Sequence, residues 1–168
     1  MILCESRSLA GVLRGIAADY LCPIASTNGQ TGGFLRTDIA PIVKGGRRVL
    51  YMGDFDLSGG HIEGNTRKVL SEYGPLEWKR LAITAEQIEV HNFPQMPKKD
   101  NRYKPPRDYL AVETEALGQA ETVRILTEWL ENAAPVDIDH ARQVEAKQRV
   151  QVREVLYDLV RRLRDDGR

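Results

Sequence analysis

The sequence predicts an α/β domain in which a mostly parallel central sheet is flanked by helices and followed by a long C-terminal helix. Three observations predict it. Short apolar runs (Ile2 to Cys4, Pro23 to Ser26, Arg47 to Met52, Leu81 to Ile83) alternate with stretches of helical periodicity, the pattern of strands joined by crossover helices. The run from Val49 to Met52 ends in Gly53-Asp54-Phe55-Asp56 and then in small residues that open a helix, as strands of open α/β sheets do at their carboxyl ends. The 168 residues fit one domain with a sizeable core, here expected as a core over about 1–117 and a helical extension over about 118–168.

Each element follows from local pattern. After the strand Ile2 to Cys4, the residues Leu9, Val12, Leu13, Ile16 and Ala17 recur at helical spacing. The turn-rich loop Asn28 to Gly33 leads into a helix carrying Phe34, Leu35, Ile39 and Ile42, which Gly45-Gly46 stops. A helix is expected over Gly60 to Tyr73, and Thr84 with Gln87 fits a capping box for a short helix after the fourth strand. From His91 to Arg107, four prolines and the basic residues Lys98, Lys99, Arg102, Lys104 and Arg107 exclude a regular element and predict a long surface loop. Tyr109 to Val112 adds a fifth strand, Glu121 to Leu130 a helix, and Asp137 to Arg164 a long helix with Val152, Val155, Leu156, Leu159 and Leu163 on one side.

Composition excludes some classes. Lys plus Arg equals Asp plus Glu at 24 each, so nucleic-acid binding has to come from a local patch. Cys4 and Cys22 lack metal or redox spacing and read as free core thiols in a reducing compartment. No apolar run approaches the roughly 18 residues of a membrane span, and no leader is evident, so a soluble cytoplasmic protein is expected.

The acidic residues carry the chemistry. Magnesium prefers oxygen ligands and keeps several waters, so one or two carboxylates plus substrate phosphates suffice to hold it; Asp54 and Asp56 meet that need, with manganese a substitute. The plain reading is that Asp56 caps the next helix and Asp54 solvates a strand end. Glu5, at the end of the first strand, comes within reach of the pair if the first and third strands are neighbours, and would then serve as general acid or base. Phosphate contacts are expected from Gly29 and Gln30 in the turn-rich loop and from Ser58 and Gly59 at the helix start. His61 and Glu63 read as solvated first-turn residues, though Glu63 is within reach of the metal site. The basic segment, with Tyr103 in its midst, is the expected grip on a phosphate backbone.

Glu after the first strand, a Gly-containing loop after the second and Asp-x-Asp after the third resemble a Toprim domain, the metal-binding module of topoisomerases, primases and some nucleases. Closest is the type found in the topoisomerase VI A subunit and its meiotic recombination relatives, whose Asp-x-Asp-Pro-x-Gly-x-x-Ile pattern is similar to the run from Asp54 to Ile62. Leu57 stands where that family often has Pro, and Ser6 where a Lys often follows the Glu. The resemblance implies a Toprim-like Rossmannoid fold, a Mg2+ site at Asp54 and Asp56, Glu5 as the acid or base, and nuclease or topoisomerase-like cleavage of nucleic acid, DNA above all. It also implies a partner, since the attacking tyrosine of that family belongs to a winged-helix domain ahead of Toprim: a second copy, or a separate protein supplying that domain. Two alternatives stand beside it: a phosphatase of the haloacid dehalogenase type, whose Asp-x-Asp motif is also resembled, and a non-catalytic module that binds nucleic acid or a partner.

Overall fold

The computed structural model describes residues 1–29, 32–134 and 137–165. Four strands, β1 (Ile2–Cys4), β2 (Ile24–Ser26), β3 (Arg48–Met52) and β4 (Glu77–Ala82), form a sheet in the order β2-β1-β3-β4 with every pairing parallel. The chain is thus α/β with a parallel sheet flanked by helices, as expected. β1 lies against β3 with Ile2 opposite Leu50 and Cys4 opposite Met52. Both strands are apolar on both faces, and Ile2 to Cys4 and Val49 to Met52 are buried, as interior strands of a parallel sheet require. Burial pushes the Cys4 thiol up to about 12.

Helix α1 (Arg7–Asp19) starts where the Ser6 hydroxyl accepts the Leu9 N–H at 3.2 Å, and it buries Leu9, Leu13 and Ala17. A π-type turn over Leu35–Ile39 runs into α2 (Ala40–Val43). Together with Val69 and Leu70 of α3 (Leu57–Ser71), these turns cover the sheet face that carries Leu3, Val49 and Tyr51. The helix expected from Gly60 begins at Leu57, because the Asp56 carboxylate caps it and supplies the acceptor that its first N–H groups need. The capping box of Thr84 and Gln87 opens α4 (Ala85–His91).

The segment expected as a loop is a correction. Past α4, β5 (Met96–Asp100) and β6 (Arg107–Ala111) pair antiparallel, Lys98 opposite Tyr109 and Asp100 opposite Arg107. A two-stranded ribbon consists of edges alone, so Pro97 can stand in β5 with no ladder bond missing from a central strand. The alternation is that of a strand: Lys98 and Tyr109 are half-buried and Asp100 and Ala111 buried, while Lys99 and Asp108 face solvent. The fifth strand therefore forms, but in this ribbon and not in the main sheet.

A 3-10 turn over Thr114–Leu117 leads into α5 (Gly118–Ala133), and α6 spans Ile138–Asp165. Contacts divide the chain into one unit over Met1–Glu128 and another over Trp129–Arg168. Within the second, α6 exposes Val152, Val155, Leu156, Leu159 and Leu163. No helix among the described residues is long and apolar enough to cross a membrane.

The ribbon carries its own electrostatic lock. Asp100, 6 % exposed, accepts from Arg102 Nε at 2.8 Å, Nη2 at 2.7 Å and the main-chain N–H at 3.0 Å. The Arg102 side chain holds the Asp100 carboxyl down to about 2. Because the folded value lies below the unfolded one, near 3.9, the lock stabilises the ribbon in full above pH ~4 and is lost as pH falls through ~2. A carboxyl carbon-13 titration should place the Asp100 midpoint near 2, and Arg102→Ala should return it toward 4.

Candidate active site

Parallel pairing of β1 with β3 sends both strands out of the same sheet edge, and the acids stand there. The ladder runs on past the strands: the Glu5 N–H donates to the Met52 carbonyl at 2.9 Å, and Gly53 exchanges bonds with Ala82 and Ile83 at 2.8 and 2.9 Å. Phe55 makes an antiparallel bridge with Val112 at 2.8 and 3.1 Å. The segment from Gly53 to Asp56 is thereby held on both sides, by β4 and by the chain leaving β6.

Each of the three carboxylates spends one oxygen on a main-chain N–H. Glu5 Oε2 accepts from Asp54 N at 2.9 Å. Asp54 Oδ1 accepts from Thr114 N at 2.9 Å and from the Thr114 hydroxyl at 2.6 Å. Asp56 Oδ1 accepts from Gly59 N at 2.6 Å, and its Oδ2 takes Lys98 Nζ at 3.0 Å, with Glu113 Oε1 at 3.7 Å from the same ammonium. Burial, joined by repulsion from Asp54 and Asp56, pushes Glu5 up even though the Asp54 N–H favours its anion. Burial opposes ionisation of Asp56 as well, but the Gly59 N–H and Lys98 outweigh it and its carboxyl is held below the usual range. Lys98 is raised in turn by its bond to Asp56.

Two glycines make the close approach feasible. A Cβ on Gly59 would stand 2.7 Å from the Asp54 carbonyl and 3.0 Å from Glu5 Oε2; one on Gly53 would stand 2.6 Å from Glu5 Oε2 and 2.9 Å from Tyr51 Oη. That tyrosine hydroxyl is buried beside Glu5 with no hydrogen-bond partner among the described residues.

Sequence reasoning missed the residue that braces the site. Arg80 donates from Nη2 to the carbonyls of Gly53 at 2.9 Å and Asp54 at 2.7 Å and from Nε to that of Ile83 at 2.7 Å, pairs with Glu63, and lies over the Tyr51 ring. Glu63 also accepts from Trp78 Nε1 at 2.7 Å. Glu63 is therefore not the solvated residue expected; it is the counter-ion of Arg80, a correction that follows from β4 packing beside the first turns of α3. Alternation of Trp78 and Arg80 on one face of β4 was the available signal. Thr114, the partner of Asp54, had none.

The expected contact residues divide. A cleft of about 350 Å³ lies between Asp54, Asp56, Glu63 and Arg80 on one side and Tyr109 and Leu110 on the other. Gly59 is buried against the acids, while Ser58 is exposed on the first turn of α3 and lines a second cleft with His61, Lys99 and Arg102. Gly29 lies in the loop after β2 in a left-handed conformation at φ 69°, and Asn28 N donates to the Glu5 carbonyl at 2.8 Å; Gln30 lies outside the described residues. The five basic residues form no uniform patch. Lys98 turns to Asp56, Arg102 is bound by Asp100, Arg107 covers the Tyr103 ring at 4.0 Å, and Lys99 and Lys104 face solvent.

All-oxygen donors at a sheet edge suit a hard cation, and the glycine cradle keeps space that a Cβ would fill. Among the described residues no three metal-ligating side chains are gathered into a ready-made cage. The second oxygens of Glu5 and Asp54 accept no bond from a described donor, which leaves room for a partly hydrated ion.

Two substitutions test this construction. Arg80→Ala strands Glu63, whose side chain is 18 % exposed, and should cost about 3 to 5 kcal/mol in urea unfolding. Gly59→Ala should cost about 1 to 3 kcal/mol, because its Cβ meets main chain that cannot yield.

No family model matches the chain, and neither the curated proteins nor the solved structures compared with it give a match.

Proposed function

We propose that this edge is a Toprim-type site that holds Mg2+, or Mn2+ in its place, and acts on phosphodiester bonds of nucleic acid. One observation carries the reading: three carboxylates, each pinned through one oxygen by a main-chain N–H, stand at the edge where two adjacent parallel strands end. Asp54 and Asp56 are the residues to hold the ion, which when bound neutralises charge on the phosphoryl oxygens. Glu5, whose carboxyl burial and the neighbouring acids push up, is suited to hold and pass a proton at Oε1 while Oε2 stays on Asp54 N. Thr114 and Arg80 keep Asp54 in place, and Ser58 with Lys99 is placed to meet a phosphate of the strand. The attacking tyrosine of the topoisomerase-like version of this chemistry is proposed to come from a partner, whether a second copy or a separate protein.

A second reading, a binding module that keeps the fold without chemistry, has its own support in the Lys98 ammonium, by which the protein balances Asp56 with a side chain of its own. Metal response separates the two. At ten times its dissociation constant Mg2+ should stabilise wild type by about 1.4 kcal/mol. Asp54→Asn and Asp56→Asn should abolish that gain with the fold intact, Asn being as good a helix cap as Asp. Glu5→Gln should keep the gain but lose cleavage of a labelled oligonucleotide. Cleavage by Glu5→Gln at the wild-type rate would remove Glu5 from the chemistry, and melting curves indifferent to Mg2+ in wild type would leave the binding module.

With Lys98 and Arg102 engaged by acids, Lys99, Lys104 and Arg107 are the cations left for a phosphate backbone. Neutralising those three together should make the slope of log affinity against log salt shallower by about 2 to 3 on duplex DNA. An unchanged slope would place the strand elsewhere.

A further inference from the structure

Lys98 was expected to grip nucleic acid, and it stands instead on the acid that the metal needs. Its Nζ is 3.0 Å from Asp56 Oδ2, with an Asp56 side chain only 8 % exposed and a Lys98 side chain 34 % exposed. The ammonium therefore reaches in from the rim to a carboxylate that is already fixed, since Asp56 Oδ1 is tied to Gly59 N whatever Oδ2 holds. Resting on the Toprim reading, we propose that Lys98 is the exchangeable cation of this pocket: it neutralises Asp56 in the metal-free protein, a divalent ion has to displace it, and binding of the ion releases the ammonium and loosens β5 from the acid edge.

The physical case rests on charge and mobility. Asp54, Asp56 and Glu5 share one partly buried edge, where uncompensated carboxylates repel. Two cations on one carboxylate oxygen repel as strongly, so the ammonium and the ion exclude each other. The lysine has a flexible four-carbon stem and a compact charge, which makes it easy to withdraw. Its other acid neighbour, Glu113 at 3.7 Å, has a side chain 46 % exposed and offers a place for the displaced ammonium at the rim. The main sheet needs no change in this exchange, because the main chain of the segment carrying the acids is bonded to β4 and Val112, and the Lys98 side chain is its link to β5.

Calorimetric titration of Mn2+ into wild type and Lys98→Met tests the exchange, with lysine acetylation of wild type followed by mass spectrometry as a readout that needs no variant. Removing the competing charge should tighten Mn2+ binding by about tenfold or more. Saturating Mn2+ should raise the labelling rate of Lys98 several-fold while Lys99, on the solvent face of the same strand, labels at a constant rate. Equal or weaker Mn2+ affinity in Lys98→Met, or Lys98 labelling indifferent to Mn2+ in a wild type that binds it, overturns the exchange and leaves the metal site standing. Absence of Mn2+ binding in both proteins overturns the exchange and the metal reading together.

Discussion

Electrostatic repulsion at one sheet edge is the constraint around which this molecule is arranged. The pairing of β1 with β3 delivers Glu5, Asp54 and Asp56 to a common place, and each would destabilise the others if left to itself. The chain answers with main-chain amides, one per carboxylate: two from the short stretch between the end of β3 and the first turn of α3, and one from the turn after β6, 60 residues beyond Asp54. Amide dipoles stabilise an anion without introducing a full counter-charge, and at Asp56 the Lys98 ammonium adds one. Gly53 and Gly59 follow from this solution, because amides can approach carboxylates that closely only where no Cβ intervenes.

Around this edge a second tier of interactions fixes the main chain itself. Arg80 gathers the carbonyls of Gly53, Asp54 and Ile83, and its charge is returned by Glu63, which Trp78 also holds. A buried ion pair of this kind contributes little net stability and much geometric definition. Its guanidinium also lies over the ring of Tyr51, whose hydroxyl reaches toward Glu5, so that one cation connects the core below the sheet edge with the acids above it.

The frame of the fold was legible because it is local. Ile2 to Cys4 form a strand flanked by a helix with the expected buried stripe of Leu9, Leu13 and Ala17, and the Thr84 and Gln87 pair is a capping box. The ribbon was illegible as long as Pro97 was judged by the rule for central strands; the alternation of Lys98 and Asp100 against Lys99 was present but masked by the basic composition. At the site, the three acids announced themselves by their place at strand ends, whereas their partners did not. Thr114 lies 60 residues from Asp54 and Arg80 lies 17 from Glu63, and no periodicity links such pairs. Lys98 is the instructive case: its charge was counted, but its direction depends on strand register, which a residue count does not contain.

The edges of the main sheet have a consequence of their own. β2, at one side, is only three residues long, and β4, at the other, carries Glu77, Lys79 and Arg80, the last already committed to carbonyls of the acid segment. An incoming strand from another molecule would find too short a template on one side. On the other it would have to dehydrate charged side chains. Arg80 thus has a place in both, bracing the acid edge and standing in the charged strand that discourages strand addition.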